Sequence, residues 1–257
     1  MEVHHHSHTA APDSHRGRKK WTHYFWEFLM LFLAVFCGFL AENEREHFIE
    51  HKREKQYAKT LSADLMSNVS ILNDALKEIN FVIARIDTFL LLVHTKAIDE
   101  IPSGTWYYYG RFGTRNPIFS LHEATLRQLL NSGGLRYFKN QNVVQSITEY
   151  EQAVSRLKQN IELELSLDND IVKARNQLFD AYYLNEIMNP SVSYDTVISF
   201  KQKSFPLLTR REIDFIQYAN FCQLRSHDQK YIENQMQDLL RINKELLALL
   251  KEEYRLK

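Results

Sequence analysis

The chain carries only two cysteines in 257 residues, Cys37 and Cys222. One lies within an apolar run and the other far along the body, so they are not expected to pair, and a disulfide framework is excluded. Either redox compartment stays open, because an oxidising environment permits disulfides without requiring them. Seven glycines and five prolines are few for this length, and the long stretches free of both favour extended helices over a many-stranded fold. Net charge is also missing. Thirty-two basic residues balance thirty-two acidic ones, which gives no basis for nucleic acid or a bulk polyanion as partner. No P-loop, Rossmann glycine pattern, nucleophile elbow or zinc-knuckle spacing occurs, and no internal repeat. No cofactor is expected.

One long apolar run is present. Phe28–Ala41 (FLMLFLAVFCGFLA) is entered from Arg16, Arg18, Lys19 and Lys20 and left into the charge-dense ENEREHFIEHKREK. Fourteen residues cover only about 21 Å, short of a hydrocarbon core of roughly 30 Å. Tyr24, Phe25 and Trp26 extend the run past Glu27, and Tyr24–Ala41 then reaches roughly 27 Å. Trp21, Tyr24 and Trp26 are rings that favour the headgroup level. The pattern predicts a transmembrane helix within Trp21–Ala41, with the lipid bilayer as the first partner. Cleavage after Ala41 would place Phe39 where a signal peptidase needs a small residue, so the segment is expected to be retained. Phe36 ahead of Cys37 argues against lipoprotein processing, and Cys37 is read as lipid-facing or helix-packing. Arg18, Lys19 and Lys20 crowd the N-terminal edge, whereas the other flank offers Arg45 before Lys52 and Arg53. The expected topology is therefore a cytoplasmic N-terminus and an extracytoplasmic body at the inner membrane.

The flanks divide the chain into a polar, His-rich tail at 1–20, expected to be disordered, the span at 21–41 and a helical body at 42–257. In the body, Tyr57, Leu61, Leu65, Val69, Leu72, Leu76, Ile79, Ile83, Ile86, Leu90 and Val93 recur in steps of three and four. That spacing marks the buried stripe of one long helix running from the span to near Lys96. The pattern breaks between Ala97 and Ser120. Ser120 and Glu123 have the spacing of a capping box for a short helix that Gly133–Gly134 stop. A second long helix carries Val143, Ile147, Tyr150, Val154, Leu157 and Ile161 and is expected to continue through Ile171 and Leu178 to about Tyr183. A loop over Asn185–Leu208, with Pro190, Pro206 and one helical turn near Tyr194–Phe200, leads to Thr209 and Glu212, again at capping-box spacing. The last helix starts at Arg210, with Ile213, Ile216, Phe221, Leu224, Tyr231, Met236, Leu239, Asn243, Leu246 and Leu250 towards its buried face. Cys222 is expected to be a buried small hydrophobe. The fold class that follows is all-α, a transmembrane helix continuing into an antiparallel bundle of three long helices plus one short one.

Three places carry chemistry. His47-Phe48-Ile49-Glu50-His51 matches H-x-x-E-H, in which two histidines one turn apart bind zinc beside a glutamate base. Its charged setting next to the span reads better as a solvated helix face, and no metal site is expected there. Glu27 is an ionisable group in the span and hence a functional candidate, although one turn in it can snorkel or pair with His23. The segment TWYYYGRFGTRNPIF brings Trp106, Tyr107, Tyr108, Tyr109, Arg111, Phe112 and Arg115 together, the composition of a recognition surface for a partner or ligand. The competing reading is an aromatic plug closing the end of a bundle. Arg136, after the Gly133–Gly134 stop, joins the candidate surface or caps carbonyls there.

The segments WEFLMLFLAVFCGFLAENEREHFIEHKREKQYAKTLSADL and LHEATLRQLLNSGGLRYFKNQNVVQSITEYEQ, with the ending LLALLKEEYRLK, resemble a family of small single-pass membrane proteins from Gram-negative bacteria whose function is itself unknown. The resemblance implies an anchor and a helical body and no particular activity. The expected function is a non-enzymatic binding or scaffolding component of an envelope complex, its partner another envelope protein or a second copy. A ligand-sensing bundle signalling through a partner is the alternative, and a membrane metalloprotease using His47, Glu50 and His51 is third.

Overall fold

The computed structural model describes residues 17–165, 168–188 and 193–256. The expected disorder of the His-rich tail and the place of Pro190 lie outside them. Among the described residues every extended element is helical. Eight α-helices occur in the order α1 Gly17–Thr95, α2 Ser103–Gly110, α3 Ala124–Asn131, α4 Gln141–Leu165, α5 Asp168–Leu178, α6 Ala181–Met188, α7 Tyr194–Lys201 and α8 Glu212–Tyr254. Tight 3₁₀ turns follow α2 at Arg111–Thr114 and α3 at Gly134–Tyr137. A single antiparallel bridge, Phe179 to Leu207, is the sole β pairing among them.

The chain divides into two compact units, one ending at Arg53 and one running from Glu54. In the first unit the Phe28–Ala41 stretch of α1 is apolar on every side, and among the described residues nothing buries it. Trp21, Phe25, Phe28, Leu31, Phe32, Val35, Phe36 and Phe39 are all exposed. A helix of this composition that buries no face against protein matches a membrane span in length and composition. Glu27 stands on the same exposed surface one turn into the run.

The second unit holds two apolar cores along one helical body. The first joins Ala58 to Ile83 of α1 with Leu126 and Leu129 of α3, Val143 to Leu157 of α4 and Ile232 to Tyr254 of α8. The second joins Val82 to Val93 of α1 with α2, α5, α6 and Phe215 to Cys222 of α8. Direction follows from the side-chain bonds. Asn243 donates to the Leu65 carbonyl at 2.9 Å and Asn80 to Glu233 at 3.0 Å, while Tyr254 donates to Glu54 at 2.7 Å, so α8 runs antiparallel to α1. Asn140 with Glu253 and Asn160 with Gln235, each at 2.9 Å, set α8 antiparallel to α4 as well.

Several expected details change. The Ser120–Glu123 capping box does not form, because α1 caps α3 instead: the Thr125 N–H donates to Asp64 at 3.1 Å and the His122 N–H to Asn68 at 2.7 Å. Gly133 does end α3, at φ +64°, the left-handed conformation glycine adopts without steric cost. The second long helix ends earlier than expected. It is helical over Gln141–Leu165 and Asp168–Leu178, residues 166–167 lying outside the described residues, and it stops at Leu178, after which the Asp180 N–H donates to the Tyr107 hydroxyl at 2.9 Å. Tertiary bonds have here overridden a helical period that runs on in the sequence. On the first half of α8 the buried face is turned from the expected one. Ile213, Leu224 and Tyr231 are exposed, and Phe215, Tyr218, Cys222, Arg225 and Gln229 are buried in their stead.

Candidate functional site

The aromatic segment expected to form a recognition surface is a helix, α2, packed into the second core. Trp106 is wholly buried, its indole N–H donating to the Ile98 carbonyl at 3.1 Å and its ring edge-on to Phe89 and Phe215. Tyr107 is also fully buried, among Phe179, Tyr183, Phe200 and Phe205. Its hydroxyl donates to the Pro206 carbonyl at 2.6 Å, and burial pushes its pKa up. Phe112 lies inside between Phe81 and Tyr108. These three rings, with Tyr108 nearly as buried, pack the core and are withdrawn from any surface. Apolar rings at this density gain more from burial than from exposure.

The close fit rests on one glycine. The Gly104 N–H donates to the Lys203 carbonyl at 2.9 Å, and a Cβ at Gly104 would stand 2.1 Å from the Phe200 carbonyl oxygen. Ser103 completes the joint, its hydroxyl donating to the Phe205 carbonyl at 2.6 Å and accepting the Phe205 N–H at 2.5 Å.

The polar part of the segment stays accessible. A cleft of about 1180 Å³ is bordered on one side by Ile71, Asp74, Ala75 and Glu78 of α1 and on the other by Arg111, Thr114, Arg115 and Asn116. Ile118, almost entirely exposed, and Phe119, Ile187, Met188 and Val197 add apolar wall. Arg111 lies against the rings of Tyr108 and Phe112 at 4.9 and 4.7 Å. One guanidinium nitrogen of Arg111 donates to the Ile187 carbonyl, and its buried Nε has no acceptor. Burial holds its pKa below the usual guanidinium value, and neighbouring Arg115 adds to that effect. Arg115 is half exposed and pairs with Glu78 at 2.7 Å. Tyr109 is partly buried and accepts from the Lys201 ammonium at 3.1 Å. Arg136 is not brought to this place. It stands over Tyr137, which stacks on Tyr57 beside the first core, and lines no part of the cleft.

Behind the cleft is a cluster that the sequence did not announce. Arg225 is completely buried between the two apolar cores. Its guanidinium bonds Glu164 at 3.1 Å, near the end of α4, and Asp168 at the start of α5, and it also donates to Asn116 of the cleft wall. Asn116 returns a bond to Asp168 at 2.8 Å. One arginine thus ties the end of α4 to the start of α5. Glu164 is 3% exposed and burial raises its pKa, an effect Arg225 partly offsets. Gln229 anchors the same layer by donating to the Arg115 carbonyl at 2.8 Å. A signal was available: Tyr218, Cys222, Arg225, Gln229, Ile232 and Met236 follow steps of four and three, so Arg225 and Gln229 occupy seam positions.

Of the zinc motif, His47 lies 3.8 Å from Glu50 on an exposed helix face, and among the described residues no group of three or more His, Cys, Asp or Glu is arranged to hold a metal. Changing both His47 and His51 to Gln is expected to leave the melting temperature and the bound-zinc content of the purified protein unchanged. Loss of stoichiometric zinc in that variant, measured by elemental analysis, would restore the motif as a metal site. Cys222 is buried, and its thiol is pushed up to about 12, which leaves almost no thiolate at neutral pH.

Comparison of the chain with models of known families, with characterised proteins and with solved structures finds no match. The cleft must therefore be read from its own side chains.

Proposed function

We propose that this chain is a membrane-anchored helical binding component of a cell-envelope complex, acting without catalysis. In this reading Trp21–Ala41 spans the inner membrane once, the tail is cytoplasmic and the helical body is extracytoplasmic. The long helices of that body, α1, α4 and α8, form an antiparallel bundle, held by the α8 bonds to α1 and α4. The observation that carries the reading is the stretch of α1 whose large apolar side chains are exposed on all sides, a composition that a lipid surrounding would satisfy.

The recognition face is the cleft, where Arg115 and Ile118 are exposed beside the half-buried Arg111. Arginine and apolar side chains side by side suit another envelope protein or a second copy. A ligand-sensing bundle that signals through a partner is the second reading, favoured by the volume of the cleft and by its mixed polar and apolar walls.

The test uses the full chain, captured in mild detergent from membranes of a Gram-negative host. Arg115→Ala with Ile118→Asp removes two exposed groups, so the melting temperature should stay within about 2 °C, since an exposed ion pair contributes at most about 1 kcal/mol. Recovery of the partner should fall by about thirtyfold, as expected for a hot spot of about 2 kcal/mol. Undiminished recovery would remove the cleft from the proposal.

A further inference from the structure

We propose that the cleft binds an organic anion, its carboxylate or phosphate group held between the guanidinium groups of Arg111 and Arg115 and its apolar remainder lying along Ile118, Ile187 and Val197. The inference rests on the reading of the cleft as the recognition site and names the chemistry it takes. Arg111 is the reason. It forms no ion pair among the described residues, its Nε is buried without an acceptor, and its other contacts are a neutral carbonyl and the uncharged side chains of Tyr108 and Phe112. A half-buried guanidinium without a counter-charge leaves donor capacity unspent. A carboxylate or phosphate satisfies it with charge-assisted bonds, bidentate where both oxygens reach.

The second guanidinium is close enough to Arg111 to depress its charged form, so an anion shared between them would relieve their mutual repulsion. Arg115 is not locked away. Its partner Glu78 is itself 40% exposed, and such a pair exchanges cheaply for another anion. The acidic groups facing the cleft are accounted for: Glu78 pairs with Arg115, and Asp74 with Lys77 at 2.8 Å. The Thr114 hydroxyl, which accepts from Arg175 at 2.8 Å, adds a polar group on the same side. Ile118, Phe119, Ile187, Met188 and Val197 line the cleft with apolar surface, and its volume exceeds what a bare inorganic ion fills, so the ligand carries an apolar part.

The experiment titrates the full chain, in nanodiscs of zwitterionic phosphatidylcholine, with phenyl phosphate, benzoate, inorganic phosphate and benzylamine, using calorimetry with empty discs subtracted. Phenyl phosphate and benzoate are expected to bind one per chain. Inorganic phosphate should bind more weakly, and benzylamine, with the same ring and the opposite charge, should not bind. Arg111→Met and Arg115→Gln should each weaken phenyl phosphate by about ten- to hundredfold, the range for a lost hydrogen bond to a charged group. If Arg111→Met does not fold, the exposed Arg115→Gln decides alone. Absence of saturable phenyl phosphate binding, benzylamine binding as tight, or unchanged affinity in folded Arg115→Gln overturns the inference. If a partner is captured through the cleft while no anion binds, the anion is wrong and the binding-component reading stands. If phenyl phosphate binds as expected and no partner is ever captured, the reverse holds.

Discussion

Arg225→Ala is expected to lower the stability of the helical body by about 3–5 kcal/mol, the cost of removing one partner from a buried ion pair and leaving the other uncompensated. For a body of this size that corresponds to a fall of about 6–20 °C in the thermal midpoint, read by circular dichroism on the full chain. The carboxylate most affected is Glu164, which is buried, keeps one oxygen without a donor and loses its guanidinium partner. Asp168 is a third exposed and can turn to water. Pairing Arg225→Met with Glu164→Gln should recover part of the loss, because neither residue then leaves a buried charge. A single variant as stable as wild type would show that the cluster holds nothing together.

The same cluster gives a pH dependence with a definite sign. Burial raises the Glu164 pKa above its ordinary value of 4.5, with Arg225 offsetting part of the rise, so the folded chain holds this proton more tightly than the unfolded chain does. The stability this contributes is fully present below about 4.5 and is lost as pH rises through the raised folded value. Glu164→Gln should therefore flatten the fall in stability above pH 4.5.

Gly104→Ala is expected to cost about 3 kcal/mol or more, because the added Cβ would lie 2.1 Å from the Phe200 carbonyl oxygen and 2.7 Å from that of Lys203. Both are backbone atoms at the end of α7, so no side chain can swing aside, and α2 must lift from α7. Gly113→Ala meets the Cys222 sulfur and the Tyr218 hydroxyl at 2.5 and 2.6 Å, side-chain atoms that can shift, and should cost less. Gly38→Ala has nothing within 4 Å and should change stability by no more than about 0.5 kcal/mol. The order of the three midpoints in one denaturation series checks the account, and Gly104→Ala at or above the others would contradict it.

What could be read in advance divides along a physical line. The continuity of α1 was legible, since no glycine or proline interrupts Glu42 to Ile101 and the apolar steps persist. The body of α8 was legible from Met236 onward for the same reason. The end of α5 at Leu178 was not, because it coincides with tertiary bonds, the Asp180 N–H to the Tyr107 hydroxyl and the Phe179–Leu207 bridge, that no local pattern encodes. The cap of α3 was missed because its acceptors, Asp64 and Asn68, lie more than fifty residues away in sequence. The cleft was half legible. Arg111 and Arg115 were singled out by type, but burial of Trp106, Tyr107 and Phe112 depends on Phe179, Phe200 and Phe215, whose approach no local pattern encodes. Arg225 went unnoticed because a lone arginine on a helix reads as solvated until its seam position is counted.

The central claim is that Trp21–Ala41 is a retained membrane span. Alkaline carbonate extraction of membranes from expressing cells, followed by intact-mass analysis of the pelleted protein, tests it most directly. The account predicts that the chain stays with the lipid pellet and that its mass includes residues 21–41. Release into the soluble fraction, or a mature N-terminus near Glu42, would contradict it.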